Sequence, residues 1–113
     1  MLPRHHRLTR PQDFRWTIRG GKKAVTSTLV MHALLTHDVE TPARVGITVS
    51  KAVGGSVVRH RVARQIRHAI AADLPTLPAG SLWVIRALPG AGESSLVADD
   101  VITGLGQLRG VLA

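Results

Sequence analysis

Val49-Ser-Lys-Ala-Val-Gly-Gly-Ser-Val-Val-Arg-His-Arg-Val-Ala-Arg-Gln-Ile-Arg-His-Ala69 holds five cationic side chains, two histidines and no acid. An extended segment enters the Gly54-Gly55 turn and a helix leaves it, with Ser56 suited to cap its N-terminus and the helix expected over about residues 57–72. At 100° per residue, Val58, Val62, Ile66, Ala69 and Ile70 share one arc. His60, Arg61, Arg64, Arg67 and His68 fall on the opposite arc. Arg59 lies toward the apolar side and is expected to reach back over the glycine turn. Solvated helices ordinarily mix signs and gain from acid–base pairs one turn apart. Here like charges repel with no acid before Asp73, a cost that a polyanionic partner removes by giving up its condensed counterions.

The rest of the chain fits a binding face rather than a merely soluble surface. Fifteen lysines and arginines stand against seven acids, for a net charge of +8, and 12 of the 15 are arginine, which binds phosphate bidentately and stacks on bases. The charge is segregated: residues 1–23 carry +6 and residues 51–72 carry +5, while residues 24–50 and 73–113 are mildly acidic. At 113 residues with 44% hydrophobic content, one domain with one core is expected over residues 1–113, its first nine residues a flexible basic arm. The absence of cysteine excludes disulfides and cysteine-based zinc sites. No apolar run is long enough for a membrane span and no apolar core follows the basic start, so a cytoplasmic protein is expected.

Upstream, Thr9 can cap a helix beginning at Arg10-Pro11 and ending at Gly20-Gly21, with Phe14 and Ile18 on one face. Residues 23–36 read as one strand, and Arg44 to Ser50 alternates with period two. Ser81 to Arg86 is a short buried strand holding Trp83. Ser94 or Ser95 caps a final helix with an apolar stripe from Leu96 to Leu112. The expected architecture is a small α+β domain in α-β-β-α-β-α order, a sheet packed by helices. The pair Asp99-Asp100 reads as a solvated edge. The histidines are scattered or set among arginines, so no metal site is expected. No nucleophile–base or paired-carboxylate arrangement is visible, and no catalytic residue is assigned. The glycine turn does not match a nucleotide-binding loop, although its amides suit an RNA phosphate.

At Ser50-Lys51-Ala-Val-Gly54 and Arg59-His60-Arg61-Val-Ala-Arg64-Gln-Ile-Arg67 the chain resembles the protein subunit of bacterial ribonuclease P. Arg7-Leu8, Asp13-Phe14, Arg44-Val-Gly46 and Val84-Ile-Arg86 extend the likeness to residues 4–112. The resemblance implies a fold like domain 2 of ribosomal protein S5, with a left-handed crossover through the basic helix. It implies two partners, a catalytic RNA and precursor tRNA, with no membrane and no further protein required. Magnesium would be needed by the ribonucleoprotein, with no cofactor bound by the protein alone. By motif position Lys51, Arg59, His60, Arg61, Arg64, Arg67 and His68 would meet the catalytic RNA. Arg7, Phe14, Ile18 and His32 would form a cleft for the substrate's 5′ leader. The chain departs from the family pattern at His60 (usually asparagine), Ala52 and Ala63 (often lysine), Ile18 (often aromatic) and His32 (often tyrosine). Two other classes are compatible with the residues alone: a structural RNA-binding protein of ribosomal type, and a nuclease using its own metal.

Overall fold

The computed structural model describes residues 2–112. Helix α1 (Pro11–Gly20) is followed by strands β1 (Lys22–Val25), β2 (Leu29–Leu35) and β3 (Arg44–Thr48). Helix α2 (Ser56–Ala71), strand β4 (Ser81–Ala87) and helix α3 (Val97–Leu112) complete the domain. The four strands form one mixed sheet in the order β1-β2-β4-β3, antiparallel except for the β3–β4 pair. Parallel neighbours require a crossover, and α2 supplies it.

Strand alternation divides the sheet into two faces. Leu29, Met31 and Ala33, Val45, and Trp83 and Ile85 point to the main core, where they meet Val62, Ile66 and Ile70 of α2 and Val97, Val101, Leu105 and Leu108 of α3. Each large apolar side chain buried there contributes about 1.5–3 kcal/mol. Trp83 is core, as its apolar strand suggests, and its indole N–H donates to Ser81 Oγ at 2.8 Å. The opposite face carries a smaller cluster of Leu8, Leu82 and Val84, packed by Phe14 and Leu34. Helix α1 therefore covers one face, and α2 and α3 the other.

Three expectations are corrected. The single strand over residues 23–36 is a hairpin, with Val25 opposite Val30 and a tight turn at Thr26–Leu29. Asp100 is not a solvated edge, because its Oδ2 accepts from the Ser27 hydroxyl and from the Thr28 backbone N–H and hydroxyl. The first nine residues are not a loose arm over the part described. Leu2 and Leu8 are buried, Arg4–His6 form a 3-10 turn, and Leu8 N–H donates to the Val45 carbonyl along the edge of β3. His6 Nδ1 lies 2.7 Å from the Ala43 carbonyl. Two apolar anchors and the unpaired groups of an edge strand hold this segment down. Met1, the remaining residue of the expected arm, lies outside the described residues.

Smaller shifts occur at the helix ends. Arg10 rather than Thr9 precedes α1, and Gly55 rather than Ser56 precedes α2, with no side-chain cap at either. Gly46 is required by packing, since a Cβ there would sit 2.4 Å from the Phe14 ring. Among the described residues no helix is long and apolar enough to cross a membrane.

Candidate RNA interface

The basic helix presents the surface its periodicity implies. Val62, Ile66 and Ile70 are fully buried, whereas His60, Arg61, Arg64 and His68 are exposed and Arg59 and Arg67 half-buried. Lys51 is exposed in the turn before the helix. Among the described residues the ion pairs are Arg44–Asp13 and Arg109–Asp73, and neither involves a cation of α2. The guanidiniums are thus not neutralised internally. Arg61 does donate to the Gly92 carbonyl, which fixes its position while leaving its charge. Arg59 Nε is enclosed without a hydrogen-bond partner, in keeping with its place beside the apolar arc.

The cations separate into two neighbourhoods. Arg61, Arg64, Gln65 and His68 line a depression of about 270 Å³ on the outer side of α2. Arg67 instead lines a depression of about 290 Å³ with Arg7, Thr9, Phe14, Gly46 and Ile47. Sequence position groups Arg67 with Arg64, but the structure sets it at the β3 edge beside the N-terminal segment. A neighbouring hollow lined by Leu2, Arg64, Arg67, His68 and Ala71 joins the two.

The α1 side of the sheet forms the second surface. Asp13, buried in the first turn of α1, faces Arg44 at 3.6 Å and ties the helix to the start of β3. Thr17 donates to the Asp13 carbonyl, and Gly21 lets the chain pass close to the Ala33 carbonyl of β2. Helix α1 thereby crosses the sheet and leaves part of this face open. Phe14 and Ile18 share the flank beside the opening, with Ile18 42% exposed. By register, Lys23, His32, Val84 and Gly46 form one row across the face, and Val30, Arg86 and Thr48 the next. Arg86, Lys23 and Thr48 are exposed on this face, which the motif residues alone do not indicate. The period-two pattern of β4, which sets Arg86 with Val84 and Leu82, was the available signal.

His32 is only 6% exposed, between Lys23 and Val84 in the sheet, and does not line the depression that holds Arg7 and Phe14. Its Nδ1 is buried without a hydrogen-bond partner. Burial, and then the neighbouring Arg86 and Lys23 charges, hold its pKa below the usual histidine value of 6.5. The unfolded chain therefore binds this proton more readily than the folded one, and stability falls as pH drops from about 6.5 through the lower folded value. The variant His32→Gln is expected to lack this loss. Thermal melts of both proteins across that window check it, and parallel curves would contradict the assignment.

Among the described residues no three His, Asp or Glu side chains come together in a way that would hold a metal ion.

Comparison with known proteins accords with this geometry. The family model described as Ribonuclease P matches residues 2–106. The ribonuclease P protein component of Streptomyces bikiniensis is 44% identical over 119 aligned positions, covering 97% of each chain. That of Corynebacterium diphtheriae is 46% identical over 100 positions, covering 84% of each. Among solved structures, the Staphylococcus aureus RNase P protein superposes with a TM-score of 0.76 at 20% identity, over 95% of this chain and 94% of that one.

Proposed function

The chain belongs to the ribonuclease P protein family and is the protein subunit of that endoribonuclease, which matures tRNA 5′ ends; from this premise we propose how its two surfaces divide the work. The outer side of α2 with Lys51, Arg59, His60, Arg61, Arg64 and His68 docks on the catalytic RNA. The open sheet face beside Phe14 and Ile18, floored by His32 and Arg86 and flanked by Arg7 and Arg67, takes the single-stranded 5′ leader of precursor tRNA. Hydrolysis belongs to the RNA, with magnesium held there. The chain's own contribution is to neutralise phosphates where two polyanions must approach and to orient the leader. We place this work in the cytoplasm with no other protein required.

The observation that carries the reading is the set of α2 cations other than Arg67, without an internal counter-ion and on the sheet face opposite α1. RNA bound to one face and substrate bound to the other need not compete for the same side chains. The test is reconstitution with a ribonuclease P RNA at low magnesium, where added protein is expected to restore leader cleavage. A structural RNA binder would bind without restoring it. Cleavage by RNA-free protein, abolished by chelation, would move catalysis to this chain.

One substitution examines the docking face. Arg64→Ala removes a single exposed guanidinium, so the slope of log affinity for the catalytic RNA against log salt is expected to flatten by about 0.7–0.9. Binding titrations over a range of salt measure it, and an unchanged slope would remove Arg64 from the interface.

A further inference from the structure

Neither proposed surface uses the most conspicuous apolar side chain on the outside of the molecule. Trp16 is 57% exposed, in a chain with only three Phe and Trp residues. Trp83 is buried in the core, and Phe14 is half-buried against Gly46 on the opposite flank of α1. At 100° per residue Trp16 stands about 200° around α1 from both Phe14 and Ile18, so it occupies the flank turned away from the cleft. Apart from Pro11, the exposed positions beside it are polar or cationic. Arg10, Pro11, Gln12 and Arg15 line a shallow hollow at the start of the helix, and Arg19 follows Trp16 by one turn. The single acid of α1, Asp13, is buried and directed at Arg44. The outer flank is therefore a wet, cationic strip around one flat aromatic ring. Single-stranded nucleic acid is bound by this combination, with phosphates on guanidiniums and a base stacked on the ring.

We propose that Trp16, with Arg15 and Arg19, is a stacking platform for the part of the 5′ leader that extends beyond the cleft. The inference rests on the cleft holding the leader. Helices α1 and α2 pack on opposite faces of the sheet, so RNA docked along α2 is not thereby brought to Trp16. A strand leaving the cleft past Phe14 and Ile18 already lies against α1. It has only to cross a helix about 10 Å in diameter to reach the indole.

The experiment compares precursors whose leader is too short to leave the cleft with precursors whose leader is several nucleotides longer, bound to the reconstituted ribonucleoprotein. Trp16→Ala is expected to weaken binding of the long-leader substrate on the order of tenfold, the short-leader substrate little, and Trp16→Phe to retain most of the affinity. Acrylamide quenching supplies a second readout, because exposed Trp16 is quenched and buried Trp83 is not. The long leader should shield Trp16, whereas catalytic RNA alone should not. Shielding by catalytic RNA alone, or equal losses with both leaders, would overturn the proposal. Phe14→Ala separates the two levels. An effect of Phe14→Ala without one of Trp16→Ala removes the platform and keeps the cleft, whereas no effect of either removes both.

Discussion

Replacing Lys51, Arg61 and Arg64 together by alanine is expected to weaken binding of the catalytic RNA by about a hundredfold or more at low salt, with little loss of fold stability. Each charge-assisted contact contributes about 1.5–3 kcal/mol, and three that share one surface add incompletely. The salt dependence gives the more specific signature. Losing three phosphate contacts should flatten the log–log slope by about 2–3. Stability should move the other way or hardly at all, because none of the three has an acidic partner among the described residues and their mutual repulsion disappears. The exception is the hydrogen bond from Arg61 to the Gly92 carbonyl, whose loss costs about 1 kcal/mol. Salt titrations of RNA binding, set beside thermal melts, distinguish a binding surface from a structural one. Intact affinity would show that the partner docks elsewhere. A large drop in melting temperature would show that these cations serve the fold.

The exposed, unpaired cationic face of α2 could be read from residues 49–69 because its two determinants are local. A 3.6-residue period sorts Val62, Ile66 and Ile70 from Arg61 and Arg64, and a lack of acids within one turn leaves the charges unpaired. The surroundings of Arg67 were not legible, because helical periodicity says nothing about what lies beyond the helix. Its neighbours Arg7 and Phe14 arrive from the N-terminal segment and α1. That segment itself was illegible for a related reason. Its basic composition suggests solvent, but Leu2 and Leu8 find an apolar seat and the β3 edge offers backbone partners. The family resemblance sets His32 in the cleft, while its depth follows from its place between Lys23 and Val84 in the sheet. The hairpin escaped notice because Thr26-Ser27-Thr28 has no glycine, proline or asparagine to announce a turn. What holds that turn lies 72 residues further along the chain.

Asp100→Ala is expected to destabilise the domain by about 2–4 kcal/mol, lowering the melting temperature by roughly 10 °C. No non-glycine residue among those described has positive φ, so the Ser27-Thr28 turn is not the primed type whose twist matches paired strands. It relies instead on Thr26, which exchanges hydrogen bonds with Leu29, and on Asp100 of α3, which takes three donors on one oxygen. Removing the carboxylate leaves the Thr28 N–H without that acceptor at a residue that is buried. The pH dependence identifies the cause. Partial burial raises the Asp100 pKa, but the hydrogen bonds from Thr28 and Ser27 outweigh it and bring the value below the usual 3.8. Its contribution is thus present above about pH 3.8 and lost as pH falls through the folded value. The Asp100 window opens at about pH 3.8 and that of His32 at about 6.5, so melts followed down in pH meet the His32 loss first. If Asp100→Ala melts with the wild type at neutral pH, the Thr26–Leu29 bonds alone hold the turn. If it melts early, the tie from α3 is what secures the turn between β1 and β2. Since His32 and Lys23 ride on those strands, the variant should then also weaken leader binding without changing the salt slope at α2.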